Sequence, residues 1–145
     1  MPPTIYFSGS ISGGRADAEH YRRIVGLLEA RGFNVLAGAV TSHIGNGGEP
    51  LEARYIFERD LAWLAQSDVV VAEVSMPSTG VGYEIAAARY RYRIPVICLY
   101  RPAYTARCTA MVAGDDGVEL IEYTDETFDA MLETLVNKLT AAPVS

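Results

Sequence analysis

The chain has 145 residues, half of them hydrophobic and 21% charged, with a net charge of −6. That is the composition of a folded domain with room for a full core, and it excludes a disordered chain. The acidic balance also excludes a protein that coats nucleic acid, which needs a basic face, but a small anion held by backbone amides and a few arginines remains compatible with it.

Strand and helix patterns alternate along the chain, which predicts an α/β fold: a parallel sheet with helices on both faces. Residues 4–9 read as the first strand, followed by a Ser-Gly turn over residues 10–14. Residues 15–31 read as a helix closed by Gly32, and residues 33–36 as a short strand. Residues 38–49 are too rich in glycine for either element and read as a lid or a plain connection. A second helix is predicted over residues 50–66, with Pro50 in its first turn, and a third strand over residues 68–74. A third helix follows over residues 80–92, a fourth strand over 94–100, and a loop with a short helix over 101–117. Residues 118–123 read as the fifth strand and 124–140 as a closing helix with Thr124 at its N-cap. No repeat or linker interrupts this order, so one domain over residues 1–145 is expected. With neither a leader pattern nor an apolar stretch of membrane length, the expected setting is cytoplasmic and free of membrane contact.

The β-branched run Val69-Val70-Val71 ends in a loop of small residues that leads into a helix carrying Glu84. In an open α/β sheet, ligands bind beyond the carboxyl ends of the strands, and the N–H groups at a following helix start favour anions. Glu84 is expected in or near the first turn, where the helix dipole favours its ionised form; simple dipole compensation is the competing explanation. Tyr6, near the same edge of the first strand, is either a partner for that carboxylate or a core aromatic. A phosphate cradle beside a reactive carboxylate points to chemistry on a phosphorylated sugar.

Asp60 falls inside the apolar stripe of Ala53, Phe57, Leu61 and Leu64, where an unpartnered carboxylate is costly. It is either functional or paired with an arginine or a loop. Glu52, Glu58 and Arg59 lie on the outward side as solvated charges. The Ser8-Gly9-Ser10-Ile11-Ser12-Gly13-Gly14-Arg15 loop matches neither the Walker A nor the dinucleotide-binding pattern, and it serves as an anion cradle or a tight turn. No cofactor is therefore expected. Arg101, just after the fourth strand, lies at the same edge, and Arg107 and Thr109 are candidates to reach an anion, in the same subunit or in a neighbour. Cys98 sits in an apolar run as a reduced core residue, and His20 and His43 are isolated, so no metal site is expected.

Several of these segments resemble one family in order. They are Ile5-Tyr6-Phe7-Ser8-Gly9-Ser10-Ile11-x-Gly13-Gly14-Arg15, Asp60-Leu61-x-Trp63-Leu64, Asp68-Val69-Val70-Val71-Ala72-Glu73-Val74, Pro77-Ser78-x-Gly80-Val81-Gly82-Tyr83-Glu84 and Thr109-Ala110-Met111. The family is the 2′-deoxynucleoside 5′-monophosphate N-glycosidases, a branch of the nucleoside 2-deoxyribosyltransferase superfamily. The resemblance runs from residue 5 to about residue 114. It implies a Rossmann-like (flavodoxin-like) five-stranded parallel sheet, a homodimer, and hydrolysis of the bond between base and deoxyribose in a small deoxynucleotide; the acidic balance already argues against a nucleic-acid polymer as partner. Carried over, Glu84 is the nucleophile, Tyr6 its hydrogen-bonding partner and Asp60 the carboxyl group that assists the leaving base. An apolar setting would raise the Asp60 pKa to suit that task.

The resemblance also implies phosphate or substrate contacts at Gly9, Ser10, Ser12, Gly13, Arg15, Ser78 and Gly80, with Thr109 reaching the phosphate of the adjacent subunit. The chain departs from the family at Ser12, where animal members have an arginine, so one cationic phosphate contact is either missing or replaced by Arg15. It departs again in lacking an aligned pocket histidine, with His43 a few residues on as either a substitute or an unrelated loop residue, and at Thr109 in place of serine. Two other functions are consistent with the same residues. One is a transferase, in which a second base intercepts the intermediate. The other is a deoxynucleotide-binding module without catalysis.

Overall fold

The computed structural model describes residues 2–38 and 52–143. β1 (Thr4–Gly9), β2 (Asn34–Leu36), β3 (Val69–Glu73), β4 (Val96–Tyr100) and β5 (Val118–Glu122) form one sheet in the order β2-β1-β3-β4-β5. Every neighbouring pair is parallel, with Tyr6 opposite Val70, Ser8 opposite Ala72 and Gly9 opposite Glu73. Strands covered on both faces are buried along their whole length, as β3 and β4 are, and both are largely apolar, with Glu73 the charged exception at the end of β3. The chain enters at β1, steps outward to β2 and then returns to β3 on the other side. This reversal opens a crevice at the carboxyl ends of β1 and β3.

Alternation along the strands divides the interior into two cores. Ile5, Phe7, Val69 and Val71 pack with α1 (Gly14–Ala30) and α5 (Phe128–Thr140) on one face. Tyr6, Val70 and Ala72 pack on the other face with Leu61 and Leu64 of α2 (Ala53–Ala65) and Val81 and Ile85 of α3 (Thr79–Ala86). α4 (Ala110–Ala113) is one short turn before β5. Gly9 lies hard against the Tyr21 ring, where a Cβ would come within 3.0 Å. Gly32 ends α1 at φ +90°, a conformation that suits glycine.

The predicted elements are all present among the described residues, with four shifts at their ends. A 3₁₀ turn, Ile11–Gly13, precedes α1 because the Ser10 hydroxyl accepts the Ser12 N–H at 3.1 Å. The predicted third helix is two windings: α3 gives way to a π-helical turn, Ala87–Tyr92, which ends at Arg93 with φ 54°. The apolar spacing of Ile85, Ala88 and Tyr92 suits either winding. β4 starts after Pro95, which has no N–H for the ladder. α5 begins at Phe128 and not at Thr124, because the Thr124 N–H binds the Thr127 hydroxyl at 2.8 Å and closes a turn there. The start of the predicted second helix and nearly all of the glycine-rich segment with His43 lie outside the described residues.

Candidate active site

β1 ends beside α3, and its alternation turns Tyr6 and Ser8 toward that helix. The Tyr6 hydroxyl donates to Glu84 Oε2, and Ser8 Oγ donates to Oε1 at 3.2 Å. Both carboxyl oxygens therefore accept, the pattern of an ionised group held in place. Burial pushes the Glu84 carboxyl up to about 7, opposed by the Tyr6 and Ser8 hydrogen bonds and reinforced by the charge of Asp60. Burial and the Glu84 charge raise the Tyr6 phenol too, so it stays a donor at neutral pH.

Glu84 is the sixth residue of α3, not in its first turn as expected. The dipole effect fades within that turn, so burial decides the proton affinity. The expectation that the helix start keeps Glu84 ionised is corrected accordingly. At the start of α3, Ser78 is the N-cap, its Oγ accepting the Val81 N–H at 3.3 Å.

Asp60 faces the same cavity from α2. This cavity, of about 290 Å³, is lined among others by Asp60, Glu84, Thr79, Gly80, Phe57 and Tyr83. Asp60 is half-buried, yet its setting is ionic and not the apolar one expected. Arg59 Nε and Nη2 each lie 2.9 Å from its Oδ1, and the guanidinium stacks 4.8 Å from the Trp63 ring. Arg59, expected to be a solvated charge, is thus part of the site. Phe57, placed in the apolar stripe, is 47% exposed and meets the Tyr83 ring edge-on at 6.1 Å.

The glycine-serine loop leaves the sheet directly after Ser8. Ser10 is buried and committed to its cap, while Ser12 and Arg15 are exposed. Gly13 lies within the 3₁₀ turn. Ser78 and Thr109 line a different, larger cavity of about 990 Å³ with Arg107, and α3 forms a wall of both. Within the chain Thr109 is therefore not beside Glu84; it sits exposed at the N-cap of α4. Arg101 is occupied by Asp125 at 2.9 Å and Asp17 at 3.8 Å. Cys98 is buried, as expected, and burial pushes its thiol up to about 12. Among the described residues no cluster could hold a metal, and no helix is long and apolar enough to cross a membrane.

Sequence reasoning missed Ser8, although its position two residues from Tyr6 put both on one face of the strand. Arg59 carried no such signal, because its side chain folds back along the helix onto Trp63.

A family model described as nucleoside 2-deoxyribosyltransferase matches residues 5–134. The chain is 42% identical over 139 residues to a 5-hydroxymethyl-dUMP N-hydrolase of Tetraodon nigroviridis, which covers 89% of this chain and 94% of that one. Identity to the Homo sapiens protein of the same name is 40% over 136 residues, 90% of this chain and 78% of the other. Among solved structures, a 2-deoxyribosyltransferase from Bacillus psychrosaccharolyticus superposes with a TM-score of 0.63 at 16% identity, covering 88% of this chain and 95% of that one. A Clostridium botulinum CMP N-glycosidase gives 0.62 at 16% identity, over 92% and 98% of the two chains. At that identity the two structures establish a shared fold.

Proposed function

The chain belongs to the nucleoside 2-deoxyribosyltransferase family, and from that premise we propose that it hydrolyses the N-glycosidic bond of 2′-deoxynucleoside 5′-monophosphates. The products are a free base and 2-deoxyribose 5-phosphate. The observation that carries this reading is the pair of β1 hydroxyls, Tyr6 and Ser8, holding both oxygens of Glu84 in a cavity that Asp60 shares. Relatives at about 40% identity that are named as N-hydrolases favour water over a second base as the acceptor.

Glu84 attacks C1′ of the sugar as the bond to the base breaks, through an oxocarbenium-like transition state. Asp60 takes this step in its protonated form, against the pull of the Arg59 pair at Oδ1, and passes that proton to the departing base nitrogen. A deoxyribosyl ester of Glu84 remains. Water then attacks C1′ and gives its proton to Asp60, and the ester bond breaks to return Glu84 as a carboxylate. Tyr6 and Ser8 keep the attacking oxygens aimed, which is where much of the rate advantage of such a site arises. The amides around Ser10 and the start of α3 at Ser78 and Gly80 receive the 5′-phosphate, with Gly9, Ser12, Gly13 and Arg15 along the same loop. The functional unit is a homodimer in which Thr109 of each subunit completes the neighbour's phosphate site.

Chromatography of the protein incubated with each deoxynucleoside 5′-monophosphate, 5-hydroxymethyl-dUMP among them, tests the reading. Free base should appear from the monophosphates, should not require a second base, and should vanish in Glu84→Ala. Release only when a second base is supplied would make the protein a transferase. Tight binding with no release would make it a binding module.

A further inference from the structure

Glu73, the last residue of β3, is a second buried carboxylate that the reaction above does not use. By strand alternation it lies on the opposite face of the sheet from Glu84, in line with Val69 and Val71. It is 1% exposed, and both its oxygens are engaged. Oε1 accepts the Ser75 N–H at 2.7 Å, and Oε2 accepts the Tyr123 hydroxyl. The one proton of Tyr123 is thereby committed to Glu73. Its oxygen, 2.6 Å from His20 Nε2, must then accept from the imidazole, so His20 carries a proton on Nε2. His20 is therefore not isolated, and its Nε2 also lies 3.8 Å from Glu73 Oε2. Ser75 passes the connection on, its Oγ accepting the Arg101 N–H at 2.9 Å.

A buried carboxylate is costly, and a valine or leucine would extend the apolar run of β3 at no such cost. What an apolar residue lacks is an acceptor for the Ser75 amide at the point where the chain leaves the sheet. Three residues further on, Ser78 caps α3, the helix that carries Gly80 and Glu84. The direction of the chain at Ser75 therefore sets where the start of that helix lies.

We propose that Glu73 is a positioning residue: through Ser75 it holds the β3–α3 loop, and with it Ser78, Gly80 and the helix bearing Glu84, in place across the sheet from the reaction. Its link to catalysis rests on the hydrolase reading above; its hold on the loop does not.

Two variants separate the role from plain packing. Glu73→Gln keeps an oxygen for the Ser75 amide, whereas Glu73→Met fills the space without one. Hydrogen–deuterium exchange over residues 74–82 reads the loop, and kcat and KM on a deoxynucleoside 5′-monophosphate read the site. Glu73→Met should speed exchange there and lower kcat/KM by roughly 10- to 100-fold, the scale of a small misplacement of reacting groups. Glu73→Gln should recover most of both. Should Glu73→Met fail to fold, Ser75→Ala removes the hydroxyl that bonds both Glu73 and the Arg101 N–H, and should shift both readouts in the same direction, by roughly threefold or more in kcat/KM. Unchanged exchange and kcat/KM in the folded variant overturn the proposal, and so does a Gln variant no better than Met. Faster exchange in Glu73→Met, with a wild-type protein that releases no base, upholds the hold on the loop and overturns the hydrolase reading instead.

Discussion

Glu84 is pulled two ways: burial favours its neutral form, while the hydroxyls of Tyr6 and Ser8 favour the carboxylate. A nucleophile must be ionised, so kcat/KM should rise with pH along an acid limb centred at about 7 and fall roughly tenfold per unit below it. Since the Tyr6 hydrogen bond lowers the Glu84 pKa, Tyr6→Phe should move that limb to higher pH and cost roughly tenfold in rate at neutrality. A pH–rate profile of the two proteins checks both; a limb that does not move would remove Tyr6 from its role. Asp60 was legible as a residue out of place in an apolar stripe, and Glu84 and Tyr6 by their positions at one edge of the sheet. Their charge states were not, because these depend on which groups from elsewhere in the chain bury and surround them. Arg59 beside Asp60 is the plainest case: a sequence pattern assigns it to solvent, and packing on Trp63 brings it back.

At the scale of the element, α3 depends on its first turn, where Ser78 supplies the single capping side chain. Ser78→Ala should therefore cost about 1 kcal/mol of stability in urea unfolding. If Ser78 also meets the phosphate, the same variant should raise KM for monophosphates and leave nucleosides alone; equal loss on both would reduce it to a cap. The helix that follows shows the limit of pattern reading. Apolar spacing located it, but not its change to a π-helical turn after Ala86, because Ala88 and Tyr92 face the core in either winding. The late start of α5 was hidden for a related reason. Thr124 and Thr127 are both good caps, and their bond to each other turns the chain before the helix begins.

For the whole molecule, the proposed reaction raises the question of how Ser78 and Thr109 would serve Glu84, which lies in another cavity. They line the larger one together, at a surface where Met111 and Tyr90 are also exposed. If Thr109 acts across a dimer, Thr109→Val and Glu84→Ala should complement each other on a monophosphate substrate. A mixed dimer has one subunit with Glu84 intact facing a partner with Thr109 intact. Mixing the two defective proteins should thus restore about a quarter of wild-type activity, the statistical share of such sites. No gain over the separate proteins would place Thr109 in its own subunit's function or in none.

The alternation of strand and helix, the five parallel strands, the crevice at the end of β3 and the residues Tyr6, Asp60 and Glu84 could all be read along the chain. Each is written in local periodicity or in an ordered motif. The tertiary structure alone decided that Ser8 joins Tyr6 on Glu84, that Arg59 binds Asp60, and that Glu73, Tyr123 and His20 form one buried network. These contacts join residues as far apart as Ser8 and Glu84, or are created by burial. Burial is a sum over every element packed around a group, and no local window contains it.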